Sequence, residues 1–397
     1  MRTIFTLILF CFGITTFAYA DPPKKILKLS ELKPGTEAVG FSVFKGIEPE
    51  YFDVLIGETI DQLGNSLILA RISGGPMETP LERIGAISGM SGSPIFVDCG
   101  KNQNTSEEKL DDCIKNGTLV GSLSYRIGSF IEGGNNTLLT PAEYMLGARL
   151  GGYVVAGHFS NRMSDKINVG GREFVNLMLF PKMDSLAVSG ESAGQCKDSA
   201  SSKLKPGSMV SVFLATGTIP MGGSGTVTWV DGEKIYIFGH PLLELGMINY
   251  PFRHVSVAGT LQTPSGSYKM PGCSLETQGA MLVDGAFEVA GAIGQVAPML
   301  PLRVEIHVNG NLSVFSEEVA RSSMASMVIT GFPDMWAERL FGDLRSVPLG
   351  YQARIVFKDE PEVFLKNIIP VGVGDAEGAT KKPFQELFSR INNVFEN

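Results

Sequence analysis

Apolar and polar residues alternate with a period of two through most of the first third of the chain. The runs Val39-Gly40-Phe41-Ser42-Val43-Phe44, Phe52-Asp53-Val54-Leu55-Ile56 and Leu67-Ile68-Leu69-Ala70 are separated by Gly46, Gly57 and Gly64-Asn65. That spacing predicts a β-meander over residues 36–72. Further strands are expected at Ile95-Phe96-Val97 and from Thr118 to Ser124. Thr140-Pro141 then opens a short helix from Ala142 to Arg149, with proline in its first turn. The two-residue period returns after residue 209. Its clearest unit is Thr226-Val227-Thr228-Trp229-Val230, the turn Asp231-Gly232, and Lys234-Ile235-Tyr236-Ile237-Phe238, a strong hairpin signal that ends at Gly239-His240-Pro241. More strands follow, such as Leu302 to Val308 and Tyr351 to Phe357. Gly372 to Thr380 reads as a linker. Phe384, Leu387, Phe388 and Ile391 then mark an amphipathic helix starting near Pro383, which is expected to dock on its own domain.

The first twenty residues lie outside this pattern. Arg2, the apolar run Ile4 to Phe17 and Ala18-Tyr19-Ala20 have the order of a secretory signal cleaved after Ala20. The expected mature protein is periplasmic or secreted, and no later stretch has the length and apolarity of a membrane span. The chain has 397 residues and a net charge of -8 without a basic block, which argues against nucleic acid and against a polybasic membrane anchor. Its 47 glycines favour short strands and tight turns. Five segments follow: the signal (1–20), a β-rich half (21–157), a polar connection (158–208), a second β-rich half (209–300), and a C-terminal β extension with the terminal helix (301–397).

Four cysteines survive removal of the signal, an even number for an oxidising compartment. Cys99 and Cys113 flank a polar loop, Gly100 to Asp112, and are expected to pair; Cys196 and Cys273 form the residual pair. Zinc is the rival reading, but there is no CxxC spacing and no nearby histidine, so neither metal nor cofactor is expected.

The chemistry-bearing stretch is Gly89-Met90-Ser91-Gly92-Ser93-Pro94. A serine hydroxyl becomes a nucleophile when a tight turn holds it with a base in reach. The flanking glycines permit such a turn and leave the N–H groups of Gly89 and Ser91 free to converge on an oxyanion. A plain Gly/Ser hairpin loop is the structural alternative. Gly190-Glu191-Ser192-Ala193-Gly194 also fits G-x-S-x-G, but the polar residues after it cannot form the packed helix a nucleophile elbow requires. Gly222-Gly223-Ser224-Gly225 lacks the Lys-Ser/Thr of a phosphate loop. Among the four histidines, His307 sits in an alternating strand, and His158 and His254 lack supporting context. His240 stands at a strand end between Gly239 and Pro241, where a ring can be presented at a rim.

The segment Gly85-Ala86-Ile87-Ser88-Gly89-Met90-Ser91-Gly92-Ser93-Pro94-Ile95 resembles the G-I-x-x-G-M-S-G-S-P-I segment of the SpoIVB serine peptidase family. Gly225-Thr226-Val227-Thr228 through Phe238-Gly239-His240 resembles the strand pair that ends in that family's catalytic Gly-His. The likeness covers about residues 36–150 and 207–300. It implies a chymotrypsin-like double β-barrel with Ser91 as nucleophile, the amides of Gly89 and Ser91 as oxyanion hole, and His240 as general base. Here the serine half precedes the histidine half, the reverse of the sporulation peptidases, in an order shared with exported relatives carrying the F-G-H-P form of Phe238 to Pro241. The family's acid has no clean match, and Glu78, Glu82 and Glu244 are the candidates. No separate PDZ module is present in the pattern.

The expectation is therefore a mainly β protein of chymotrypsin-like two-barrel architecture in permuted order, with an extra C-terminal β segment and a terminal helix. Its expected function is that of an exported serine endopeptidase acting on protein or peptide substrates. The alternative, supported by the missing acid, is a catalytically silent peptidase-like module that binds or scaffolds partners in the cell envelope.

Overall fold

The computed structural model describes residues 25–62, 65–76, 80–100, 105–127, 134–146, 203–263, 266–308, 311–325, 327–329, 349–355 and 363–369, with backbone strands at 166–169 and 172–175. The signal segment, the Ser192 stretch, His158, Cys196 and the terminal helix lie outside the described residues.

The predicted meander forms β1 (Glu37–Ser42), β2 (Glu50–Gln62) and β3 (Asn65–Ser73). After the single turn α1 (Leu81–Ile84) come β4 (Pro94–Val97), α2 (Ser106–Asn116), β5 (Thr118–Ile127), β6 (Asn136–Pro141) and α3 (Ala142–Met145). The strands close into a barrel in the order β1-β2-β3-β6-β5-β4. Phe52, Val54, Ile56, Ile68, Ala70, Ile72, Ile95, Val97, Val120, Leu123 and Leu139 fill it, which is where their alternating positions should point. The polar loop after β4 contains a helix: Thr105 caps α2 by accepting Glu108 N–H at 3.2 Å, a T-x-x-E capping signature within a polar run. Cys99 and Cys113 are disulfide-bonded across it, 14 residues apart in sequence. By loop-closure entropy that link stabilises the fold by about 3 kcal/mol. It is compatible with an oxidising, extracellular setting. Cys273 is also disulfide-bonded.

Two short strands, β7 (Lys166–Val169) and β8 (Arg172–Val175), pair within the connecting segment. The second unit contains β9 (Met209–Gly217), β10 (Met221–Asp231), β11 (Lys234–Ile237), β12 (Gly246–Thr263), β13 (Gly266–Asp284), β14 (Val289–Ile293), β15 (Met299–Val308) and β16 (Asn311–Ala320). The eight-stranded sheet runs β10-β11-β14-β13-β12-β9-β16-β15, with β10 also paired to β9. That extra pairing makes the six strands from β10 to β9 a ring of hydrogen-bonded neighbours. Because β16 pairs with β9, this sheet continues past residue 300. A last hairpin joins β17 (Leu349–Ile355) to β18 (Val363–Ile369). Among the described residues no helix is long and apolar enough to cross a membrane.

The units meet through an apolar seam in which Phe41 and Phe96 of the barrel pack with Trp229, Tyr236, Val283 and Ala290. The long β12–β13 hairpin extends from the second sheet onto the barrel, where Gly46 bridges Val257 and Ser88 bridges Tyr268. The serine motif thus lies under an arm of the unit that carries His240.

Candidate active site

Gly89 and Gly92 bracket the motif in the left-handed region, with φ of +98° and +94°. A side chain at Gly92 would also collide with the Thr226 carbonyl and the Phe238 backbone, so glycine is required there twice over. The second unit hydrogen-bonds to the carbonyls of this loop. Thr226 donates its hydroxyl to Gly89 O at 2.8 Å and its N–H to Ser91 O at 2.7 Å, while the Thr228 hydroxyl donates to Gly92 O at 2.7 Å.

The loop amides divide into two sets. Ser88 N–H bonds Ser267 O (2.8 Å), Met90 N–H bonds Ile87 O (2.9 Å), Gly92 N–H bonds Leu123 O (2.7 Å) and Ser93 N–H bonds Met90 O (2.9 Å). Among the described residues the N–H groups of Gly89 and Ser91 have no acceptor, and neither does the Ser91 hydroxyl. These two amides are the pair expected from the sequence to form an oxyanion hole.

His240 is presented by a kink. Phe238 and Gly239 both have positive φ, +71° and +70°, and for an aromatic residue that conformation is strained by about 1–3 kcal/mol. The barrel holds the kink: Thr140 donates its hydroxyl to Gly239 O at 2.6 Å, and a side chain at Gly239 would strike the Ser122 and Ser124 hydroxyls. The His240 ring packs on Phe238 and Tyr125, with centroids 5.9 and 5.6 Å away. Its Nδ1 lies 2.7 Å from Pro241 O. A carbonyl only accepts, so Nδ1 carries the proton and Nε2 is the basic nitrogen. Burial lowers the ring's pKa below its ordinary value, opposed by the Pro241 contact, and this favours the neutral form at pH 7.

Strand β5 is the shared template. Leu123 exchanges backbone hydrogen bonds with Gly92 and Ser93, while its neighbours Ser122 and Ser124 abut Gly239 and the Tyr125 ring packs at a tilt against His240. The structure thus brings the serine loop and the histidine kink onto one strand segment. It does not join the side chains, because among the described residues Ser91 and His240 share no hydrogen bond.

The candidate acids fare differently. Glu78 lies outside the described residues. Glu82 is exposed, and its carboxylate accepts Gly74 N–H at 2.8 Å, which lowers its pKa and makes it a loop lock. Glu244, at φ +57°, lies near enough to Tyr125 for its charge to help burial raise that phenol's pKa. A residue the sequence reading missed organises this region. The buried Asp284 carboxylate accepts N–H groups from Leu242 (2.6 Å), Leu243 (2.8 Å) and Leu245 (3.2 Å), and the Glu244 amide also bonds to it. Burial still raises its pKa. The nearby Glu288 is pushed up to about 8, by burial first and by Asp284 second.

Thr226, Thr228, Ser42 and Lys269 were missed as well. The threonines had a signal, two hydroxyls alternating on one face of an otherwise apolar strand. Lys269 had none, because Ser267-Tyr268-Lys269-Met270 reads as an ordinary exposed alternation. His254 is buried in β12 and His307 belongs to β15. Among the described residues no three of His, Cys, Asp and Glu gather as a metal site. Comparison of the chain with family models, curated proteins and solved structures gave no match.

Proposed function

We propose that the protein is an exported serine endopeptidase with a chymotrypsin-like pair of β-barrels, acting on protein or peptide substrates through Ser91 and His240. The observation that carries this reading is the division of the motif amides. Every carbonyl from Gly89 to Gly92 is engaged, while the N–H groups of Gly89 and Ser91, beside the Ser91 hydroxyl, are left without acceptors among the described residues. Preorganised donors aimed at a developing oxyanion commonly contribute more to acyl transfer than any other single effect. The closed six-stranded barrel and the second ring of six strands support the double-barrel architecture. The Cys99–Cys113 link and the leading apolar segment support export to the periplasm or beyond.

In this mechanism substrate binding brings His240 Nε2 into reach of Ser91, since catalytic hydrogen bonds often tighten only in the substrate complex. Nε2 takes the Ser91 proton as Oγ attacks the scissile carbonyl, and the two free amides bind the oxyanion. His240 then protonates the leaving amine, and a water, deprotonated in turn by Nε2, hydrolyses the acyl-enzyme. The Pro241 carbonyl orients the imidazole at Nδ1, the position an acid occupies in a triad.

One observation favours a second reading, a silent peptidase-like binding module: Ser91 and His240 are not hydrogen-bonded, and Nδ1 meets a carbonyl instead of a carboxylate. Labelling of the full chain with a fluorophosphonate separates the two. Modification of Ser91, lost in Ser91→Ala, reduced at least about 10³-fold in His240→Ala and kept in Ser192→Ala, is the expected result. Absence of label at Ser91 in folded protein would leave the binding module, and label at Ser192 would favour the elbow.

A further inference from the structure

One peptide group separates the His240 imidazole from a buried carboxylate. Its carbonyl, Pro241 O, accepts His240 Nδ1–H at 2.7 Å, and its N–H, on Leu242, donates to Asp284 Oδ1 at 2.6 Å. The C=O and N–H of a trans peptide point in opposite directions, so the ring and the carboxylate meet its two ends. Asp284 ends β13 and is 1% exposed. Its other oxygen, Oδ2, accepts Leu243 N–H at 2.8 Å and Leu245 N–H at 3.2 Å, which fixes the carboxylate in place.

The direction of both bonds is fixed by the groups that make them. A carbonyl only accepts and a backbone amide only donates, so the path runs from Nδ1–H to Pro241 C=O and from Leu242 N–H to the carboxylate. The anion draws the Leu242 proton, electron density moves toward Pro241 O, and the carbonyl becomes a stronger acceptor for Nδ1–H. The amides of residues 242–245 favour the Asp284 anion against the burial that raises its pKa. Glu288 beside it is pushed up to about 8 and keeps its proton at pH 7, so the pair carries one charge, on Asp284. The other titratable groups nearby are Tyr250, Tyr125 against the ring, and Glu244, whose charge reaches Tyr125. Both phenols are pushed up and stay neutral.

We propose that Asp284 is the positioning residue that completes the Ser91–His240 pair, acting on the imidazole through the one peptide group between Pro241 and Leu242. The inference rests on the peptidase reading for its catalytic meaning, although the link itself is a property of the folded chain. When the ring takes the Ser91 proton it becomes a cation, and the polarised Pro241 carbonyl stabilises it. The acid of a triad does the same by direct contact.

The test reads the His240 ring and needs no activity. In the full-length protein the titration midpoint of the ring, followed by NMR, should fall by about one pH unit in Asp284→Asn, which removes the charge and keeps the size. Glu288→Gln should leave it in place, because Glu288 is already neutral over that range. A role confined to holding the loop would change stability and leave the midpoint alone. An unmoved midpoint in folded Asp284→Asn, or an equal fall in Glu288→Gln, overturns the assignment. If Asp284→Asn does not fold, the reverse direction decides in His240→Ala. The scalar coupling across the Leu242 N–H to Oδ1 bond should weaken there, while that of Leu243 N–H to Oδ2 holds. No change at Leu242, or an equal loss at both, contradicts the link. Fluorophosphonate labelling of Ser91 reports on catalysis separately and should slow about tenfold in Asp284→Asn, since Pro241 still sets the tautomer. No label in wild type, with the midpoint still tied to Asp284, ends the peptidase reading alone. Label with a midpoint indifferent to Asp284 ends this inference alone.

Discussion

The serine loop and the histidine loop are both glycine-rich turns between strands, yet residues 89–92 of the one and residues 242–245 of the other are fixed by hydrogen bonds of opposite polarity. From Gly89 to Gly92 the surroundings supply donors: Thr226, Thr228 and Ser93 bind the loop's carbonyls, and two amides remain open. From Leu242 to Leu245 the surroundings supply an acceptor, the Asp284 carboxylate, which takes up successive amides. The first loop is built to offer N–H groups and the second to present a side chain from a rigid backbone. A loop's chemistry is set by which of its backbone groups the rest of the fold leaves unpaired.

The comparison breaks most severely at Gly92. Gly92→Ala adds a Cβ into the Thr226 carbonyl and the Phe238 backbone at a φ of +94°, so the two units cannot keep their contact. A loss of about 3 kcal/mol or more is expected. Thermal unfolding of the variant beside Gly35→Ala checks it, since Gly35 has a similar positive φ but open space around its Cβ position. Equal loss in both would mean that backbone strain, and not the seam, is what Gly92 relieves.

Removing the acceptor should be nearly as costly. Asp284→Ala strips the amides of Leu242, Leu243, Glu244 and Leu245 of their partner in a buried place, for a loss of about 3 kcal/mol. The effect should be local, raising hydrogen exchange at residues 242–245 while Gly92 and Ser93 stay protected. Uniform deprotection of both loops would show that they are not independently fixed.

Proton linkage distinguishes the loops by sign. Glu288, beside Asp284, holds its proton in the fold up to about pH 8 and releases it near 4.5 when unfolded. Between those values the folded state binds more protons, so stability from this group is full below 4.5 and declines as pH rises toward 8. Lys269, beside the serine loop, is deprotonated above about 7 when folded and near 10.5 when unfolded. There the unfolded state binds more protons, so stability from this group rises between 7 and 10.5. Each contributes a slope of up to about 1.4 kcal/mol per pH unit. Glu288→Gln should flatten the acidic-side decline and Lys269→Met the alkaline rise, measured by denaturant unfolding across pH 4 to 10. Exchange of the two effects would invert the assignment of groups to loops.

How much of this was legible depended on the range of the interaction. The meander strands, the Asp231-Gly232 hairpin and the Cys99–Cys113 link follow from local period, turn chemistry and spacing. The open amides of Gly89 and Ser91 were also legible, because glycines on either side of one serine restrict how the turn can be satisfied. The partners were not. Thr226 is 137 residues from Gly89, and Lys269 is 227 from Ser42. Nothing in a single strand's alternation says which foreign loop its hydroxyls will meet. Asp284 was hidden for another reason: an acid at the end of an apolar strand looks like a solvated strand terminus until four amides are found around it. The helix α2 is hidden in a polar run because its polar face dominates, with Leu110 and Cys113 its buried residues.

The finest probe of the comparison is a single hydroxyl. Thr228→Val keeps the β-branched shape in β10 and removes the donor to Gly92 O, a bond of 2.7 Å in a fully buried place. The direct loss is about 1 kcal/mol. Thr226→Val removes the donor to Gly89 O and leaves the main-chain bond from Thr226 N–H to Ser91 O in place, for a similar loss. The two should differ in what they do to the amides. The Gly89 carbonyl lies between the two open N–H groups, so losing the 2.8 Å Thr226 bond leaves it the longer 3.4 Å contact from Lys269 Nζ, lets that peptide rotate and spoils both donors. The Gly92 carbonyl lies beyond them, so Thr228→Val should lower stability without moving the Gly89 and Ser91 amide resonances. If serine labelling falls more in Thr226→Val than in Thr228→Val at matched stability, the carbonyl clamp sets the donors. Equal labelling in the two would reduce the clamp to ordinary packing and leave the amides free for no functional reason.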